Sequence, residues 1–145
     1  MTIDETKELH IYTDGGSRGN PGSAAIGIVI RNKDKETLHE ISKTLGIATN
    51  NIAEYTAVKD SLLYLVNKLQ SKTCEVRLSF FLDSELVVRQ LTGLYKIRDP
   101  NLAILANEIR KFEASFLSIS YTHIRRELNK EADLLVNKAL DAKSS

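Results

Sequence analysis

Four acidic residues stand where the hydrophobic pattern of the chain changes. Asp14 lies in YTDGGSRGNPG (12–22), Glu54 in TNNIAEYTA (49–57), Asp83 in FLDSELVVRQL (81–91) and Asp133 in RRELNKEADLLVNKAL (125–140). None of these stretches contains a histidine or cysteine. If the strands ending near Asp14 and Asp83 are neighbours, two carboxylates meet, and both ionise at neutral pH only with a cation between them. Oxygen-only donors favour a hard divalent ion, magnesium or manganese rather than zinc, and magnesium retains waters that can be activated. Each acid also has an ordinary explanation. Glu54 could complete an Asn-x-x-Glu capping box from Asn51, and Asp83 could cap a helix starting at Ser84. Asp133 could simply favour a helix N-terminus, and Asp14 could be a turn residue.

The glycines after Asp14 invite a phosphate-cradle reading, which the spacing does not support. The stretch lacks the Gly-Lys-Ser/Thr ending of a P-loop and the G-x-G-x-x-G spacing, and the element that follows reads as a strand, not a helix. Asp14 is left at the end of a strand, where a sheet offers side chains to a crevice.

The elements that must position these acids follow from periodicity. LHIYTD (9–14) and AAIGIVIRN (24–32) are rich in β-branched and aromatic residues and read as strands around the Gly/Pro loop. ETLHEISKTL (36–45) is a third, weaker strand, its apolar residues falling irregularly. Ile52, Tyr55, Val58, Leu62, Leu65, Val66 and Leu69 keep helical spacing, with Asn50 or Asn51 as the N-cap. CEVRLSFFLD (74–83) is too continuously apolar for a half-exposed strand and is expected centrally, covered on both faces. A short helix from Ser84 ends at Gly93, a second opens at Pro100, FLSISYTHI (116–124) is a strand, and a last helix over 129–142 is capped by Asn129. The order β-β-β-α-β-α-α-β-α predicts an α/β fold, a mixed sheet flanked by helices.

Bulk properties allow one domain over 1–145, burying about two-thirds of its unfolded surface, with the ends, 1–8 and 142–145, expected to be flexible and so outside the core. Residues are 42% hydrophobic and 27% charged, with no apolar run able to span a bilayer and no leader-like start, so a cytoplasmic protein is expected. A single cysteine, Cys74, excludes an intramolecular disulfide and a cysteine-built metal site and reads as a packing residue. The net charge of +1 supplies no global basic field, so any nucleic-acid contact must use a local patch.

Taken together and in this order, the four quoted stretches resemble the type 1 ribonuclease H family over nearly the whole chain. The resemblance implies a five-stranded mixed sheet, its first three strands antiparallel and its first and fourth strands adjacent. It implies an endonuclease that hydrolyses the RNA strand of RNA/DNA hybrids, leaving 5′-phosphate and 3′-hydroxyl ends, with two Mg²⁺ ions per site and Mn²⁺ as substitute. Asp14, Glu54, Asp83 and Asp133 would be the catalytic and metal-binding carboxylates, Asp14 bridging both ions. Asn20 and Thr49 match positions that hold phosphate of the DNA strand. Asn50 and Asn51 match positions reading the RNA side of the minor groove, where hybrid recognition rests on shape and the 2′-hydroxyl. One of these asparagines could instead chiefly cap the helix. Ser17 and Arg18 could reach the same groove.

The chain departs from longer members. It has no tryptophan and no basic protrusion; LTGLYKIRDPN stands there, where Tyr95, Lys96 and Arg98 could stack on and pair with the hybrid or form a solvated turn. No separate N-terminal hybrid-binding domain is expected, so affinity should be modest and steeply salt-dependent, for a monomer with no obligate protein partner and no membrane. The loop histidine of longer members has no clear match. His123 falls at a strand end, leaving Arg125, Arg126 or Glu127 beside the metals. Glu85, where some members have glutamine, puts a direct base contact in doubt, and His10 and His39 read as ordinary strand residues. A catalytically silent binding module and an integrase-type transferase are the rival readings; the four retained acids oppose the first, and GNPG, TNNIAEY and NKEAD together oppose the second.

Overall fold

A computed structural model describes residues 2–144. The strands are β1 (Glu8–Gly19), β2 (Gly22–Asn32), β3 (Thr37–Ala48), β4 (Arg77–Leu82) and β5 (Ser118–His123). The helices are α1 (Asn50–Leu69), α2 (Glu85–Leu91), α3 (Pro100–Glu113) and α4 (Lys130–Ser144). One five-stranded sheet runs in the order β3-β2-β1-β4-β5; β1, β2 and β3 pair antiparallel, whereas β4 pairs parallel with both β1 and β5. This is the mixed sheet expected, and it makes the first and fourth strands neighbours.

The glycine-rich stretch is strand rather than loop. β1 continues through Asp14-Gly15-Gly16-Ser17-Arg18-Gly19, paired residue by residue with β2, and only Asn20 and Pro21, joined by a cis peptide bond, turn the hairpin. Alternate N–H groups of this stretch pair with β2, and those of Gly15 and Ser17 donate to the Glu54 and Asn50 side chains, so the donors that a cradle would aim at phosphate are taken. β3 reaches Ala48, beyond the expected end, and its irregular apolar pattern has a cause. Register shifts pass over Leu38 and Leu45, and each extra residue inverts the two-residue alternation that follows.

α1 covers one face of the sheet, with α3 packed on α1 and α2 against β4 and β5, and here Ile26, Ile28, Ile30, Leu78, Phe80 and Leu82 share one core with Tyr55, Val58, Leu62 and Ile109. Each such fully buried side chain contributes about 1.5–3 kcal/mol relative to exposure. α4 covers the other face over β2, β3 and β1. β4 is interior to the sheet, but the expectation that both its faces are covered is corrected: Arg77 is exposed and Ser79 and Phe81 only half-buried. Phe81 gains cover by stacking on Tyr12, ring centroids 4.9 Å apart, which accounts for the apolar run without a second helical layer.

Caps differ from expectation in two places. Thr49, not Asn50 or Asn51, is the N-cap of α1, its hydroxyl accepting the Ile52 N–H at 3.2 Å. Asn129 precedes α4, but its side chain donates to the Thr13 carbonyl of β1 at 2.8 Å. Asp99 caps α3 at Pro100, and Gly93 follows α2 with φ +84°, the left-handed conformation a helix end favours in glycine. At the margins expected to lie outside the core, Ile3 is buried within it and α4 runs on to Ser144; positions 1 and 145 fall outside the described residues.

Candidate active site

β1 and β4 pair in parallel up to Thr13 opposite Leu82. The next residues on each strand, Asp14 and Asp83, therefore emerge side by side where β4 ends and β1 continues alone beside β2. α1 delivers the third acid at a point where there is no space for a side chain on β1. A Cβ built on Gly15 would lie 2.3 Å from the Ala53 carbonyl carbon and 2.5 Å from the Glu54 nitrogen. With glycine there, the helix rests directly on the strand, and Glu54 Oε1 accepts the Gly15 N–H at 3.0 Å. One oxygen from each of Asp14, Glu54 and Asp83 lies within 4.8 Å of the others. Asp133 lines the same cleft but lies outside this trio. α4 brings it there by a similar close approach, since a Cβ on Gly27 would meet the Ala132 carbonyl oxygen at 2.1 Å.

The ordinary explanations for three of the acids lapse. Ser84 caps α2, accepting the Val87 N–H, so Asp83 is not engaged in capping. Thr49 caps α1 and Glu54 bonds to β1, so no capping box forms. Asp14 sits within a strand rather than a turn. Asp133 does occupy the first turn of α4, where its charge suits the helix end as well as the cleft.

Burial makes the trio electrostatically costly. Asp14 is 7% exposed, and desolvation foremost, reinforced by Asp83 and Asp133, pushes it up to about 7, although the neighbouring Glu54 carboxyl acts in the opposite direction. Glu54 is raised well above the usual carboxylate range by burial and then by Asp14. Asp83 is raised by burial, against a hydrogen bond from Asn129 and the charges of Arg126 and His123, which favour its ionised form. Glu54 Oε2 is buried with no hydrogen-bond partner among the described residues. Such an orphaned oxygen is destabilising unless something outside the protein chain fills its place. An acceptor-only, oxygen-only group short of positive charge fits a hard divalent cation.

The cleft has a volume of about 410 Å³ and is lined also by Ser17, Arg18, Asn50, Asn51, Arg126 and Asn137. Several residues expected to touch substrate converge at its rim. Asn20 Oδ1 accepts the Asn50 N–H at 3.0 Å, and Asn50 Oδ1 accepts the Ser17 N–H at 2.9 Å, so the hairpin tip and the start of α1 form one polar unit. These bonds occupy the amide oxygens and leave the amide NH₂ groups of Asn20 and Asn50 free to donate. Thr49 belongs to the same corner through its capping role. Tyr95 and Lys96 lie apart, exposed on the segment between α2 and α3. His123 ends β5 opposite Leu82, and Glu85 pairs with Arg89 on α2.

Two residues at the site were underread in the sequence. Asn129, taken for a cap, is 2% exposed and ties the start of α4 to β1 while donating to Asp83. Arg126, one of three alternatives in the loop before α4, lines the cleft with its charge felt at Asp83. The quoted ELNKEAD stretch holds both residues' immediate context, but only the fold shows which side chains turn inward.

Residues 12–139 match a family model described as reverse transcriptase-like. The chain is 40% identical over 138 residues to ribonuclease HI of Halobacterium salinarum, covering 95% of this chain and 67% of that protein. It is 40% identical over 133 residues to the bifunctional protein Rv2228c of Mycobacterium tuberculosis, spanning only 35% of that longer relative. Among solved structures, LC11-RNase H1, isolated from compost, superposes with a TM-score of 0.90 at 41% identity, covering 97% of this chain and 100% of that one. The same LC11-RNase H1 has been crystallised in complex with an RNA/DNA hybrid, and that structure matches with a TM-score of 0.89 over 94% of this chain and 99% of that one.

Proposed function

Because the chain belongs to the type 1 ribonuclease H family, we propose that it is a metal-dependent endonuclease that hydrolyses the RNA strand of RNA/DNA hybrids, leaving 5′-phosphate and 3′-hydroxyl ends. The observation that carries this reading is the buried trio Asp14, Glu54 and Asp83, its oxygens within 4.8 Å and one of them orphaned. Asp14, Glu54 and Asp83 would hold divalent cations, with Asp133 completing the set from the α4 side of the cleft. Mg²⁺ is the ion we favour, with Mn²⁺ as substitute. When bound, such ions supply an activated water and stabilise charge on the leaving 3′ oxygen.

The chain's own residues would divide the remaining work. The Gly15 N–H fixes the Glu54 carboxylate, leaving Oε2 free to turn toward a cation or a substrate hydroxyl. Asn129 would favour the ionised form of Asp83 against the burial that raises it. The Arg126 guanidinium, permanently charged and at the cleft, would pair with phosphate. Asn20, Thr49, Asn50 and Asn51, with Ser17 and Arg18, would bind the two strands across the minor groove by amide, hydroxyl and phosphate contacts, and Tyr95 and Lys96 would meet the hybrid from the α2–α3 segment. We read the active form as a monomer acting in the cytoplasm; among the described residues no helix is long and apolar enough to cross a membrane.

The test is incubation with Mg²⁺ and labelled RNA/DNA, RNA/RNA and DNA/DNA duplexes. Cleavage confined to the RNA of the hybrid, with products bearing a 5′-phosphate, is expected. Intact hybrid with both Mg²⁺ and Mn²⁺ would overturn the proposal.

A further inference from the structure

The segment 92–99 joins α2 to α3 without regular structure, yet it is tied to the interior at two levels. The Arg89 carbonyl accepts the Leu94 and Tyr95 N–H groups at 2.8 and 3.0 Å, and the Arg89 guanidinium lies 5.3 Å from the Tyr95 ring centroid. These contacts set the course of the chain as far as residue 95. Beyond it, the described residues offer residues 96–98 a single hydrogen bond, from Gln90 Nε2 to the Lys96 carbonyl at 3.4 Å. Gln90 is itself 8% exposed, and its Oε1 accepts the Tyr55 hydroxyl at 2.6 Å. Tyr55 is fully buried in α1.

A buried glutamine carries a desolvation cost that both partners must offset. Its position next to the protein surface is better explained by what it reaches than by packing. Tyr55 directly follows Glu54, so consecutive residues of α1 serve two sites: Glu54 reaches the carboxylate trio, and Tyr55 reaches the α2–α3 segment through Gln90.

We propose that Tyr55 and Gln90 are positioning residues for substrate, a buried brace that sets Lys96, and with it Tyr95, at a fixed place relative to the carboxylates. The inference rests on the reading that this segment touches the hybrid. A preformed arm meets its ligand without the cost of ordering a loop, so loss of the brace weakens substrate capture while leaving the chemical step intact.

The experiment measures Michaelis parameters on a labelled RNA/DNA duplex for Tyr55→Phe, Gln90→Leu, Tyr95→Ala and Lys96→Ala, with Mg²⁺ binding followed by calorimetry. Tyr55→Phe and Gln90→Leu are expected to raise KM about three- to tenfold, the scale of one or two side chains that must be ordered on binding. In both, kcat stays within about twofold and Mg²⁺ affinity is unchanged. Lys96→Ala, added to Gln90→Leu, should cost less than it does alone, because a Lys96 side chain whose backbone Gln90 no longer holds in place contributes less to binding. Wild-type KM in both brace variants, alongside a raised KM in Lys96→Ala, overturns the brace while sparing the substrate reading of the loop. Wild-type KM in both Tyr95→Ala and Lys96→Ala removes that reading, and the brace with it. A fall in kcat and Mg²⁺ affinity with KM unchanged would mean that the tie serves Glu54 and not the loop. If Gln90→Leu fails to fold by circular dichroism, Tyr55→Phe, which removes a single oxygen, carries the test.

Discussion

A carboxylate that is merely structural finds a donor or faces water; Asp14 and Glu54 do neither fully. The protein bears the cost of burying them, and pH and metal dependence should expose it. Asp14 has a folded value of about 7 against an ordinary value of 3.8. Between those limits the folded state binds more protons than the unfolded one, so stability falls as pH rises from about 4 to 7 and then levels off. Glu54 and Asp83 are shifted in the same direction and add to the slope. In EDTA, the melting temperature should therefore drop across this window. Saturating Mg²⁺ at pH 7.5 or so should restore it, by about 5–10 °C if the ion is present at about a hundred times its dissociation constant. A melting temperature that is flat with pH and indifferent to Mg²⁺ would remove the case for a metal site. Asp14→Asn and Asp83→Asn relieve the same repulsion, so both should fold with unchanged or higher metal-free stability while losing at least about a hundredfold in kcat. Normal turnover in either would refute the assignment. Arg126→Ala should lower kcat by about tenfold or more and Arg126→Lys by less, because a charge without a planar fork replaces only part of a guanidinium's phosphate contact; equal activity in all three proteins would show that Arg126 faces solvent.

At the scale of elements, two helices reach the site because two glycines let them. α1 contacts β1 at Gly15 and α4 contacts β2 at Gly27, and in both places an added Cβ would overlap helix backbone, which cannot swing aside as a flexible side chain can. Gly15→Ala should destabilise by about 1–3 kcal/mol or more. It should also move Glu54 off the trio, so that Mg²⁺ affinity measured by calorimetry falls; unchanged stability and affinity would mean that the helix shifts freely. This role was not legible in the sequence. YTDGGSRGNPG reads as a loop because glycine is the commonest turn former, and nothing local distinguishes a glycine that frees the chain from one that admits a helix. The order of elements was legible, because alternation and helical spacing are local properties of each segment. The cover over β4 was not, since Phe81 is shielded by Tyr12 from another strand. The four acids were visible through the family resemblance of their surroundings. Their exclusion from capping required Thr49, Ser84 and the Gly15 N–H to be seen in place. Asn129 shows the same limit: at a helix start an asparagine reads as a cap, and only the approach of α4 to β1 gives its amide the Thr13 carbonyl instead.

For the molecule as a whole, charge decides how the hybrid is held. The net charge of +1 gives no long-range attraction to a polyanion, and several cations are engaged by neighbours: Arg31 pairs with Glu131, Lys43 with Asp60, Arg89 with Glu85 and Arg110 with Glu113. Arg18 is also paired, with Asp141 at 2.6 Å, and must exchange that partner to meet a phosphate. Of the cations without an ion pair among the described residues, Arg126 lines the cleft and Lys96 and Arg98 lie on the α2–α3 segment, the places where the proposed function puts the backbone of a nucleic acid. Each phosphate neutralised contributes about −0.7 to −0.9 to the slope of log affinity against log salt, depending on the strand type. Three or four such contacts predict a slope of about −2 to −4, well short of the steeper dependence of a strongly basic protein. Fluorescence anisotropy of Asp14→Asn with a labelled, uncleaved hybrid over a salt series would measure it. Arg98→Ala should reduce the slope by about one, whereas Arg31→Ala, which removes a cation already engaged by Glu131, should leave it unchanged. A slope steeper than about −6, or one insensitive to Arg98, would place the hybrid on a broader basic surface than this cleft and the α2–α3 segment provide.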